Sequence, residues 1–495
     1  MKNYKFFALT LTLLFPLFVL AQITTEPQLP VATKKVVITF DSSKNTRLGY
    51  FTGDLYAHTG VGIEGKGNWQ NVVGGPNSWG NNDVQPKLTH KGNGIYELEI
   101  APDINSFYSV AGGEKVTNMS FVFRSANNSQ QTNDLFVTVY EEGLVIEISE
   151  PALNAILPKN QPVNISAQAS LDADLRLYLN EAILTQNSGK SISATHSFSE
   201  SGNYWIIAEA TADGETKRDS VQVFVRNEVV EEEMPAAYRK GINYPTDTSA
   251  ALVLYAPFKS FVFVLGDFNN WQPENEYQMK KDDDYFWLEI PGLEKDKEYA
   301  FQYFIDGEIR VADPYAEKIL DPWNDQYISE ETYPELLEYP EGKTEGIVSV
   351  LHPGKEEYQW EITDFQVPAK EKLVIYELLI RDFSEEHTFK AVREKLDYLE
   401  DLNINVLELM PVNEFEGNSS WGYNPSFYFA PDKYYGPKNE LKKLIDECHK
   451  RGIAVVIDMV LNHTYGQSPL VQMYMNNWTI TPENPWYNEE SNFKN

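Results

Sequence analysis

Leu373-Val-Ile-Tyr-Glu-Leu-Leu379, Val406-Leu-Glu-Leu-Met410 and Ile453-Ala-Val-Val-Ile457 are the stretches that decide the fold of the C-terminal part of this chain. Each is short and almost wholly apolar, the pattern of a strand buried on both faces. Between the first two, Phe389, Val392, Leu396 and Leu399 recur at helical spacing; between the second and third, Leu441, Leu444, Ile445 and Cys448 do the same. Strands and amphipathic helices in alternation build a parallel α/β sheet. Cys448 falls on the apolar stripe and reads as a core residue rather than a reactive thiol.

Pro411 to Lys438, between the second strand and its helix, is far longer than the usual connection of about 2–6 residues, and such loops are usually functional. It carries Trp421, Tyr423, Phe427, Tyr428, Phe429, Tyr434 and Tyr435. The loop leaves the C-terminal end of a strand, the face on which parallel α/β barrels hold their active sites. Aromatic rings there fit a ligand with flat apolar faces and polar edges, such as a sugar; the same rings would also serve simply to cover the sheet end. The third strand ends at Asp458, with Asn462 and His463 close behind. A carboxylate, an amide and an imidazole at one strand end can orient hydroxyls or a metal, while structural pairing would account for any one of them alone.

Working outward, β-type runs separated by Gly, Asn and Pro clusters fill the chain upstream. They predict a β-sandwich over 36–142, an immunoglobulin-like sandwich over 143–227 and a third β module over 237–330. Glu231-Glu-Glu233 marks the linker before the third module, and a Pro- and Glu-rich connector over 331–371 leads to the α/β segment, 372–495. At the other end, Lys2 and Lys5 precede an apolar run from Phe6 that closes with Val19-Leu20-Ala21 before Gln22. This predicts an export signal over 1–21, the run being shorter than the roughly 20 residues of a spanning helix. The mature chain is expected to have no transmembrane segment and to be secreted, periplasmic or at the cell surface, with no cysteine after the run to acylate. Lys plus Arg number 41 against 73 Asp plus Glu, a net charge of −32 that repels phosphate backbones and argues against a nucleic-acid partner. One cysteine in the whole chain excludes an intramolecular disulfide.

Four motifs in this order, Val374-Ile-Tyr-Glu-Leu-Leu-Ile-Arg-Asp-Phe-Ser384, Glu408-Leu-Met-Pro-Val-Asn-Glu-Phe415, Trp421-Gly-Tyr-Asn-Pro-Ser-Phe-Tyr-Phe-Ala-Pro431 and Asp458-Met-Val-Leu-Asn-His463, resemble glycoside hydrolase family 13, the α-amylase family. The Trp-Gly-Tyr-Asn-Pro form resembles the pullulanase, isoamylase and branching-enzyme side of the family more than short animal-type amylases. The resemblance implies the first βα units of a (β/α)8 TIM barrel acting on an α-glucan polysaccharide. Carried over by position, Tyr423 would stack on the glucose at the cleaved bond, His463 would hydrogen-bond that sugar, and Asp458 would orient an arginine beside the nucleophile. Asn462 matches a calcium ligand of many family members, so calcium is the one cofactor implied.

Val262-Phe-Val-Leu-Gly-Asp-Phe-Asn-Asn-Trp271, with Phe304-Ile-Asp-Gly307 and Ala312-Asp-Pro314, resembles the family 48 carbohydrate-binding module. Trp271 matches one sugar-stacking position, but the second aromatic expected after Asp306-Gly307 is replaced by Glu308-Ile-Arg-Val311, which favours a structural role. Leu55-Tyr-Ala-His58, Trp69 and Trp79 resemble, more weakly, bacterial starch-binding modules of families 25 and 26; a buried core tryptophan is the alternative there.

Retaining hydrolysis in this family needs a nucleophile and a general acid about 5–5.5 Å apart, expected on the fourth and fifth barrel strands, beyond Asn495. A whole barrel takes about 250 residues, so the segment from residue 372 is expected to be an incomplete barrel and inactive alone. The leading expectation is an exported α-glucan hydrolase acting on starch, glycogen or pullulan. A non-catalytic starch-binding protein and a glucan branching enzyme are the alternatives.

Overall fold

The computed structural model describes residues 22–45, 47–49, 51–476 and 479–488; the expected export signal, 1–21, lies outside them. Among the described residues no helix is long and apolar enough to cross a membrane.

The first module is a sandwich of two four-stranded sheets. One runs Ile23–Glu26, Val36–Asp41, Ile95–Ile100, Thr89–Gly92, and the other Gly67–Gln70, Leu55–Ile63, Val116–Ser125, Leu135–Thr138. Alternation decides which residues close it: in Val36–Asp41 every second side chain is buried, and Val36, Ile38 and Phe40 meet Leu55, Phe121 and Phe123 in the core. The strand Ile23–Glu26 pairs with Val36–Asp41, so this sheet begins ahead of the expected boundary at 36.

The second module has six strands, where about seven turn-separated runs are visible in the sequence. One of them, Pro162–Leu179, changes register between Gln168 and Ala173. Before this bulge it pairs with Ile146–Glu150 and after it with Gly202–Ala212, so a single long strand changes neighbour along its length within one six-stranded sheet.

The third module packs the sheet Gly241–Thr246, Ser249–Tyr255, Tyr285–Ile290, Lys280–Asp282 against Val262–Gly266, Tyr299–Ile305, Val348–Leu351, Ile319–Leu320. Val348–Leu351 pairs with Tyr299–Ile305 and Ile319–Leu320, so the sheet takes a strand from beyond the expected boundary at 330, out of what reads as connector. Met473 and Tyr474, from the far end of the α/β segment, are buried in the same core, and the Tyr474 hydroxyl donates to the Pro257 carbonyl at 2.7 Å.

The α/β segment forms a parallel sheet in the order Ile375–Leu378, Val406–Leu409, Ala454–Ile457. The helix Lys438–Lys450 buries Leu441, Leu444 and Cys448 against it, and burial pushes the Cys448 thiol up to about 12, away from reactivity at neutral pH. The expected helix through Phe389 to Leu399 is two short ones, Phe389–Glu394 and Leu396–Asp401, meeting at Lys395. Both outer strands of this sheet are open: Ile375 on one edge and Val456 and Ile457 on the other are exposed. These elements match the expected architecture, β-sandwich modules followed by the first βα units of a barrel.

Candidate functional site

The site is built at the C-terminal end of the parallel sheet. Side chains alternate across a strand, and Glu377, Glu408 and Val456 are in register across the three strands. Asp458 follows Val456 by two residues and shares that face. The long loop above it is not irregular throughout: Asn413–Phe415 and Pro425–Pro431 form an antiparallel ribbon. At its turn Gly422 has φ near 87°, and a Cβ there would lie 2.5 Å from the Pro411 carbonyl oxygen, so only glycine lets the loop pass this close. On either side of it, Trp421 is 61% and Tyr423 38% exposed.

Tyr423, Asp458 and His463 come together. The Tyr423 hydroxyl donates to Asp458 Oδ2 at 2.7 Å, and His463 Nε2 donates to the Tyr423 carbonyl oxygen at 2.8 Å. The bond to Asp458, then burial and the charges of Asp458, Glu377 and Glu408, push the Tyr423 hydroxyl up to about 12, so it remains a donor at every working pH. With its Nε2 proton on a backbone carbonyl and Nδ1 buried and unpartnered, His463 holds the loop that carries Tyr423. Glu377 and Glu408 were not singled out in the sequence. Their signal was one carboxylate at the same position of two apolar strands, within Tyr376-Glu-Leu378 and Leu407-Glu-Leu409.

Asn462 is exposed, and no group of three or more His, Cys, Asp or Glu placed to hold a metal stands among the described residues.

Trp271 matches a sugar-stacking position, but it takes the structural place that the missing second aromatic favours. It is 1% exposed, and its indole N–H donates to Asp267 Oδ1 at 3.1 Å. It packs with Phe224, Phe263 and Phe304 in a core cluster shared by the second and third modules, with no face left for a sugar. Trp69 and Trp79 fare differently. Trp79 is 45% exposed and Trp69 partly so, and the His58 ring lies between them, 5.2 Å from Trp69 and stacked, 5.0 Å from Trp79 and edge-on. Fully buried Arg124 fixes this ring from below. A guanidinium only donates, so its Nε bond of 2.7 Å to Gln85 Oε1 orients the amide, and Gln85 Nε2 then donates to His58 Nδ1 at 2.8 Å. The imidazole is therefore neutral with its proton on Nε2, and burial together with Arg124 holds its pKa below the ordinary histidine range.

Residues 381–492 match the family described as "Alpha amylase, catalytic domain", and residues 240–316 match "Carbohydrate-binding module 48 (Isoamylase N-terminal domain)". A malto-oligosyltrehalose trehalohydrolase of Saccharolobus solfataricus is 35% identical over 196 residues, 40% of this chain and 32% of that protein. A 1,4-alpha-glucan branching enzyme GlgB of Bacillus subtilis is 30% identical over 225 residues, 42% of this chain and 32% of that protein. The chain thus spans about a third of the length of these curated relatives. A pullulanase type I from Bacillus subtilis, solved with maltose, is 19% identical with a TM-score of 0.35, covering 65% of this chain and 48% of that one. Residues 240–316 and 381–492 thus resemble, in chain order, a family 48 carbohydrate-binding module and a stretch of α-amylase-family catalytic domain, the resemblance that the sequence motifs carry.

Proposed function

We propose that the chain belongs to an exported enzyme that hydrolyses α-glucosidic bonds of starch, glycogen or pullulan with retention. The observation that carries this reading is the joining of Tyr423, Asp458 and His463 at the strand ends, under an exposed aromatic loop. Such a site offers an aromatic face for a sugar ring and, in Asp458, a carboxylate already oriented by a hydrogen bond. The nucleophile and general acid belong on further strands, which would cover the apolar edges at Ile375 and Val456. The 495-residue polypeptide alone is accordingly expected to release no reducing sugar from starch in a reducing-end assay. Turnover that survives extensive purification and disappears in Asp458→Ala would place the reacting groups within these residues instead. Export rests on residues 1–21 and is tested by N-terminal sequencing of the protein recovered outside the cytoplasm; a cytoplasmic protein keeping Met1 would sink it.

A second reading, glucan branching, is favoured by the relatives of that name. Product analysis of the complete enzyme separates the two, because hydrolysis raises reducing ends while branching leaves their number unchanged.

Starch capture is assigned to the first module, through Trp69 and Trp79 with His58 between them. Replacing both tryptophans by alanine in the full chain should lower recovery on starch granules by about tenfold or more, the ordinary consequence of truncating aromatic anchors. Equal recovery of the wild-type and variant proteins would leave these rings without a ligand. Trp271→Phe, a change inside the core, should leave recovery as it is.

A further inference from the structure

A cleft of about 810 Å³ opens between the third module and the helix Lys438–Lys450, and Tyr423, Asp458 and His463 are not among the residues that line it. Its volume lies in the range of small-molecule sites. Two aromatic side chains on its wall are partly exposed, Trp360 at 42% and Tyr244 at 37%. Trp360 is held in place by Tyr358, edge-on at 5.1 Å, which is itself anchored by a 2.7 Å hydrogen bond from its hydroxyl to Asp446 Oδ2.

The charged lining is close to balanced. With Lys433 set aside, because it is buried on Glu414 and Asp325, five lysines face four glutamates. Several are already paired: Lys318 with Glu298 at 2.7 Å, and Glu317 with Lys355 at 2.6 Å and Lys438 at 2.8 Å. These pairs present ammonium donors and carboxylate acceptors side by side. His352 adds a ring nitrogen, Nε2, that is buried and without a partner. An anion entering here would meet four carboxylates, and an apolar ligand would strip water from charged groups without replacing it. A neutral polyhydroxylated ligand satisfies both requirements, since each hydroxyl accepts from an ammonium and donates to a carboxylate while the ring faces lie on Trp360 and Tyr244.

We propose that this cleft is a second binding site for a neutral oligosaccharide, a segment of α-glucan chain, separate from the strand ends and from the Trp69–Trp79 platform. The identity of the sugar rests on the glucan reading above; the cleft and its chemistry do not. Two covalently joined sites raise the local concentration of one polymer for the other, so a weak cleft still strengthens retention on starch.

The test is equilibrium binding of maltoheptaose to the full chain by titration calorimetry, in four forms: wild type, Trp69→Ala/Trp79→Ala, and that double variant with either Trp360→Ala or Trp360→Phe. The double variant should retain a binding event, Trp360→Ala should weaken it by about tenfold, and Trp360→Phe, which keeps a flat face, should restore most of it. Loss of all binding in the double variant would overturn the cleft site and leave the glucan reading standing. Residual binding indifferent to Trp360→Ala, or displaced by inorganic phosphate, would overturn it as well. A wild-type chain that binds no maltoheptaose would take the glucan reading down together with the cleft.

Discussion

Lys433→Met is expected to destabilise the protein by about 3–5 kcal/mol, the cost of breaking a buried ion pair by removing one partner. Lys433 Nζ lies 2.6 Å from Glu414 Oε1 and 3.2 Å from Asp325 Oδ1, and its side chain is 2% exposed. Burial alone would lower the ammonium pKa; Glu414, Asp325 and Asp432 outweigh it and hold Lys433 charged, above the usual lysine range. The geometry gives the loss a location. Asp325 stands in the short turn Asp325–Tyr327, between the third module's strands Ile319–Leu320 and Val348–Leu351, whereas Glu414 and Lys433 belong to the long loop of the α/β segment. One ammonium therefore joins the module to the sheet. Beside it, Asn418 Nδ2 donates to the Asn324 carbonyl at 2.9 Å, a neutral bond worth about 1 kcal/mol that cannot replace the ion pair. Without Lys433 two carboxylates face one another in a dry interface. Urea denaturation followed by tryptophan fluorescence should show an earlier transition for Lys433→Met, and Lys433→Met/Glu414→Gln should recover part of the loss because it removes a stranded charge with the amine. A single variant within about 1 kcal/mol of wild type, a size typical of exposed pairs, would show that the network is open to water.

The reading of the α/β segment from sequence succeeded where one period governs burial. The three strands and the helix Lys438–Lys450 need only local apolar pattern, and they lie where that pattern puts them. What local pattern does not contain is which faces meet. Trp271 follows a short turn, Asp267–Asn269, and both Asn270 and Trp271 have positive φ, which folds the indole back onto the module instead of presenting it outward. A motif preserves the residue and says nothing of that reversal. Val348–Leu351 was read as connector because the runs around it are rich in Pro and Glu, although four consecutive buried residues complete a sheet. Lys433, Glu414 and Asp432 look like ordinary loop charges in the sequence, and only the approach of the third module buries them. Tyr423, Asp458 and His463 were legible as a set because they surround two strand ends. The bond from His463 Nε2 to the Tyr423 carbonyl was not, because it depends on the path of a loop 40 residues away.

That difference makes the strongest prediction at the site one about how kcat and KM divide. In an enzyme with a closed barrel, Tyr423→Phe keeps the ring and removes only the hydroxyl that donates to Asp458 at 2.7 Å. A hydrogen bond to a charged group is worth about 1.5–3 kcal/mol, so freeing the carboxylate should lower kcat on maltooligosaccharides by about 10- to 100-fold. KM should change little, since the stacking face remains. Tyr423→Ala removes the face too and should raise KM in addition, because a stacked ring serves ground state and transition state alike. His463→Ala is the discriminating case. If His463 acts by holding the Tyr423 carbonyl, its loss lets the ring wander, KM rises as it does for Tyr423→Ala, and adding Tyr423→Ala costs little more. If instead its ring touched the reacting sugar, kcat would fall on its own and the two losses would add. Asp458→Asn should lower kcat at least as far as Tyr423→Phe, since the amide oxygen still accepts from the Tyr423 hydroxyl but the carboxylate charge is gone. Kinetics of the four single variants and the His463→Ala/Tyr423→Ala double variant on one maltooligosaccharide decide it, and a Tyr423→Phe enzyme with wild-type kcat would remove Asp458 from the role given to it here.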